Sequence, residues 1–101
     1  MRTILTASIW FDDGIEHVHQ PKNIKTGYCI NGYRHGNCFA TMKIFDSDRT
    51  YLEMEKEQGF LDSENNFLTR EEAWEIAEKA NQIKEDSRRF TQGRLFSEDL
   101  Y

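Results

Sequence analysis

Proline occurs once, at Pro21, and cysteine twice, at Cys29 and Cys38, in a chain of 101 residues. No apolar run approaches the length of a membrane span and no charged-then-apolar leader opens the chain. A soluble, cytoplasmic protein with both thiols reduced is therefore expected. Basic charge is also in short supply: 13 Lys and Arg against 18 Asp and Glu leave a net charge of −5 and a pI near 5.1. That balance argues against non-specific binding to duplex nucleic acid, which needs a field that attracts phosphates. There is no internal repeat, no low-complexity segment, no Gly-rich phosphate loop of recognised spacing and no paired-carboxylate hydrolase motif. The length suits one domain with one modest core, and chains of this size often gain stability by oligomerising.

What is present is organised around Gln58 to Ile83. Gly59-Phe60-Leu61 and Asn66-Phe67-Leu68 are short apolar runs separated by the turn-prone Asp62-Ser63-Glu64-Asn65, which reads as a hairpin. Thr69 then starts a helix, with Glu72 three residues on completing a capping box. Glu71, Glu72 and Glu75 sit toward the positive end of the helix dipole and Lys79 and Lys84 toward the other. Ala73, Ile76, Ala77, Ala80 and Ile83 form the apolar stripe, small enough for close packing on a sheet.

Before this unit, Ile4 to Phe11 alternates as a strand, with Leu5, Ala7, Ile9 and Phe11 on the better buried face. Asp12-Asp13-Gly14 reads as a turn into a return strand carrying Ile15, His17 and His19, which predicts an antiparallel hairpin over residues 3–19. Gly27 to Ile30 reads as a third strand, closed by Asn31-Gly32. A helix is expected from about Asn37, with Cys38, Met42 and Phe45 on its apolar side. The charged stretch from Asp46 to Glu57 fits either a helical extension or a surface loop. The tail turns apolar at Phe90, Leu95, Phe96, Leu100 and Tyr101, so residues 89–101 are expected to dock on their own domain or on a partner subunit. The expected class is α+β: a small antiparallel sheet with two α-helices packed on it, residues 1–101 forming one domain that dimerises.

Tyr33-Arg34-His35-Gly36-Asn37 is the strongest candidate for chemistry. A guanidinium and an imidazole at a helix N-terminus, beside a glycine that lets backbone amides approach a ligand, suit an anion. The bland alternative has Tyr33 and Arg34 covering the end of the sheet. His17, His19, Cys29, His35 and Cys38 do not have the spacing of a known zinc ribbon or finger, so no metal site is expected. Cys38 with His35 lacks an acidic orienter, and no catalytic residue is expected.

GYRHGN, QGFL, FLTREEAWEIAEKANQI and LFSEDLY, in that order, resemble a family of small phage proteins that includes the first-described Thoeris anti-defence sponges. The resemblance covers residues 27–101. It implies an α+β homo-oligomer, a dimer or a dimer-built hexamer, acting in the bacterial host cytoplasm. Such a protein would hold a cyclic ADP-ribose isomer, and in some members cyclic oligonucleotide signals, at intersubunit pockets without cleaving it and without a cofactor. Carried onto this chain, it assigns Phe60 to stacking on adenine. Arg34, His35 and a tail arginine (Arg88, Arg89 or Arg94) would pair with phosphate, with Thr69 donating to ribose or phosphate. The chain departs from the family pattern at Asn65-Asn66 and at Thr69, which weakens any hairpin contact, and Phe60 also suits an ordinary core role. An acidic inhibitor acting through protein contacts is the alternative.

Overall fold

The order of the elements follows from where short apolar runs alternate with turn residues. A computed structural model describes residues 2–48, 50–85 and 93–100. Strands β1 (Ile4–Phe11), β2 (Tyr28–Gly32), β3 (Glu55–Asp62) and β4 (Phe67–Leu68) form one antiparallel sheet in the order β2-β1-β3-β4. Helices α1 (His35–Phe45) and α3 (Arg70–Lys79) pack on it, with a single-turn helix α2 (Tyr51–Met54) leading into β3 and a 3-10 turn at Ser97–Asp99. This is the expected α+β class, with α2 settling the ambiguous stretch after Asp46 as part helix and part strand.

β1 is central because its alternation feeds two neighbouring cores. Ile4 and Ala7 join Phe60, Leu68, Ala73, Trp74, Ala77, Ile83 and Leu95 beneath α3. Ile9 and Phe11 join Cys38, Met42 and Tyr51 beneath α1. Leu5 is not part of either: it is 54% exposed, because a bulge between Ile4 and Thr6 breaks the register against β3 and carries Leu5 off the buried side. Phe45 is likewise exposed at the last residue of α1, so the apolar side of that helix ends at Met42.

The predicted return strand over residues 15–19 does not form; β2 is the antiparallel partner of β1 on that side. Local side-chain bonds explain why. Asp12 and Asp13 accept from the amides of Gly14 and Ile15, Thr26 donates to Asp12, and His19 adopts φ 65°, all of which hold the segment in turns rather than a ladder. The segment instead lies against Trp10, whose Nε1 donates to the Thr26 carbonyl, and Asn23 bonds both backbone groups of Phe67. Gly27 is required there: at φ 94°, an added Cβ would collide with the Phe11 carbonyl.

The β3–β4 turn is organised by the buried carboxylate of Asp62, which accepts from the amides of Glu64 and Asn66, from the Asn66 side chain and from Arg2. Burial works against its charge, but these bonds prevail and hold its pKa below the ordinary value. After α3, residues 93–100 return to the same domain. Leu95 is fully buried, its amide donates to the Arg70 carbonyl, and Lys84 donates through its amide to the Asp99 carbonyl. Phe90 and Tyr101, also expected to dock, lie outside the described residues.

Candidate functional site

The two main helices bring their N-terminal ends to a cleft of about 440 Å³, lined by Arg34, His35, Gly36 and Asn37 from the start of α1, Arg70 from the start of α3, and Phe96 to Glu98 from the tail. The volume falls in the range of small-molecule sites.

At α1 the N-cap is Arg34, extended at φ −134°, a side chain with no acceptor to offer the first-turn amides. Asn37 accepts from the Arg34 amide at 2.9 Å and so closes the backbone before the helix, while no side chain among the described residues caps the helix itself. Among the described residues nothing lies within 4 Å of where a Cβ on Gly36 would stand. The Arg34 guanidinium sits 5.0 Å from the Tyr33 ring centroid and 3.8 Å from Glu98.

His35 plays a different part from the one expected. It is buried, and its Nε2 lies 2.7 Å from the Gly59 carbonyl; a carbonyl only accepts, so this nitrogen carries the proton and donates. Burial pushes the His35 pKa below its ordinary value of 6.5, against the opposing pull of that carbonyl. His35 is therefore neutral near pH 7 and seats the start of α1 on β3 rather than supplying a second cation. Phe60 is corrected in the same way. It is fully buried and meets the His35 ring edge-on at 5.2 Å, so no face of it is open to a base. Gly59 must be glycine for this arrangement, since a Cβ there would overlap the Leu68 carbonyl of β4.

Thr69 is also absent from the cleft lining. Its hydroxyl accepts from the Glu72 amide while Glu72 accepts from the Thr69 amide, the capping box read from the sequence. Arg88 and Arg89 lie outside the described residues. Arg94 stands just beyond the cleft, 3.4 Å from Glu71 and 5.9 Å from the Phe96 ring.

Four cleft residues, Arg70, Phe96, Ser97 and Glu98, escaped the sequence reading as site candidates. Arg70 lies 4.4 Å above the Phe96 ring, donates to the Leu95 carbonyl at 2.9 Å and approaches Gln58 at 3.4 Å. Burial, and then Arg94, disfavour its charge. The available signal was a cation in the first turn of a helix whose dipole favours acids there. Phe96 offered only its aromatic character in a short tail.

Burial pushes both thiols, Cys29 and Cys38, up to about 11, so neither is a thiolate near neutral pH. Among the described residues no cluster of His, Cys, Asp and Glu is arranged to hold a metal ion, and no helix is long and apolar enough to cross a membrane. The cleft thus combines two guanidiniums, a helix start without a side-chain cap and an aromatic ring, an arrangement suited to holding a phosphate-bearing anion. No curated protein and no solved structure matches the chain. The family model described as Phage T4 y16D protein matches residues 3–101, strands, helices and cleft together, and the chain belongs to that phage protein family.

Proposed function

We propose that this phage protein binds a small anionic nucleotide signal and holds it intact, so that its function is stoichiometric sequestration. The observation that carries the reading is that α1 begins on Arg34, with no side-chain cap, at a cleft whose far wall is Arg70 laid over Phe96. An arginine pair matches phosphate oxygens, and the uncapped amides with the helix dipole add to the same field. Phe96, rather than Phe60, is the aromatic next to that field. His35, the imidazole at the cleft, donates its Nε2 proton to Gly59, which favours a holding role over proton transfer. The resemblance to Thoeris anti-defence sponges extends this to a specific ligand, a cyclic ADP-ribose isomer, with cyclic oligonucleotides as further candidates. It also extends to a homo-oligomeric binding unit.

The experiment is to incubate the full chain with extracts of cells carrying activated immune cyclases, wash it, denature it by heat and identify the released small molecule by mass spectrometry. An intact cyclic nucleotide supports sequestration. A linear product makes the protein an enzyme, and an empty protein returns it to the alternative of an acidic inhibitor acting through protein contacts.

A further inference from the structure

Glu98 is the one carboxylate among the described residues that line the cleft, and its surroundings show how it comes to be there. Its neighbours Ser97 and Asp99 are each 2% exposed, and Asp99 accepts from the Phe96 amide at 2.8 Å, so the 3-10 turn is anchored on both sides. From that fixed turn the Glu98 side chain projects outward, 68% exposed, with Oε1 3.8 Å from the Arg34 guanidinium. Its negative charge also acts on His35 and Arg70, the two other titratable groups of the cleft. A carboxylate carried by the chain itself thus stands among the groups that would receive an anion from solution.

Taking the cleft as an anion site, as proposed above, we infer that Glu98 is a built-in occupant of the Arg34 subsite and that an entering anion must displace it. The separation of 3.8 Å is at the loose end of an ion pair, and although the Arg34 Nη1 that faces it is buried, the Glu98 side chain stands mostly in solvent, so the carboxylate is easily drawn away. A ligand with a single phosphate has only a small advantage over the carboxylate already present. Arg34 and Arg70 line the same cleft, so a ligand with two linked phosphates has a second cation to engage, and Glu98 thereby biases the site toward pyrophosphate-bearing molecules.

The test is calorimetric titration of the full-length protein and of Glu98→Gln with inorganic pyrophosphate and with methyl phosphate at fixed ionic strength, with thermal melts confirming that both are folded. Glu98→Gln is expected to bind pyrophosphate roughly threefold to tenfold more tightly and to narrow the preference for it over methyl phosphate. Binding by the variant alone also supports the inference. If both bind pyrophosphate equally, or the variant binds more weakly, Glu98 is not an occupant, while the anion site stands. If neither binds either probe, the occupant role and the anion site fall together.

Discussion

The two helices that cover the sheet begin in opposite ways. α3 starts on Thr69, whose hydroxyl and amide are both bonded to Glu72, with Glu71 and Glu72 placed where the helix dipole favours negative charge. α1 starts on Arg34, which caps nothing, has no acid in the first turn and puts a cation against the positive end of the dipole. A sealed helix start has its first amides answered by its own side chains, whereas one that begins on a guanidinium has no such side-chain acceptor. Beneath that open end the chain is firmly built: His35 is tied to Gly59 and packed on Phe60. The difference separates a helix end closed by its own side chains from one that the proposed reading assigns to a ligand.

The largest expected effect tests that foundation. Phe60→Ala should cost about 3 to 5 kcal/mol in stability, measured by urea denaturation, because a fully buried ring beneath the start of α1 is lost. A variant of near-native stability would put Phe60 back among the ligand-facing residues. Next, Arg34→Ala should weaken binding of a pyrophosphate or cyclic nucleotide ligand by about 1.5 to 3 kcal/mol while changing stability by no more than about 0.5 kcal/mol. Unchanged affinity in a folded Arg34→Ala protein would erase the functional contrast between the two helix starts.

Thr69→Ala should show the reverse pattern: a loss of about 1 kcal/mol in thermal or urea stability, with ligand affinity intact. A binding defect there would mean that the α3 cap contributes to the site as well.

The smallest effect is a pH dependence from His35. With its pKa in the folded protein below 6.5, His35 stays neutral where the unfolded chain takes up a proton. Its contribution is therefore complete above pH 6.5 and declines as pH falls from there through the folded pKa. Urea midpoints at pH 7.5 and 5.5 should differ more for the native protein than for His35→Gln. Equal differences would show that this imidazole is not held neutral.

Local signals were legible where the chemistry is local. The Thr69 capping box, the hairpin around Asp62 to Asn65 and the apolar stripe through Ala73 and Ala77 all appear as read. The errors fall where a distant partner decides. Residues 15–19 alternate like a strand, yet side-chain bonds within Asp12 to Thr26 and the competing pairing of β2 leave them in turns. Leu5 has the right parity for the core and is expelled by a bulge visible only in the pairing of β1 with β3. At the cleft, the signal of Arg34 lies in residues adjacent to it in the chain. Arg70 and Phe96 stand 26 positions apart and meet only when the tail folds back over α3.

By itself, the amino-acid sequence determined the α+β class, the sealed start of α3 and the cationic start of α1, since capping, dipole and turn preferences act within a few residues. Only the tertiary structure decided which groups face the cleft. The pairing of β3 with β1 and β4 buries Phe60, and the Gly59 carbonyl consequently claims the His35 proton. The return of Leu95 to the core then sets Phe96 against Arg70 and carries Glu98 to Arg34. Burial and hydrogen bonding depend on what lies across the fold, so the same imidazole, ring and carboxylate acquire their roles from neighbours that the linear order does not place beside them.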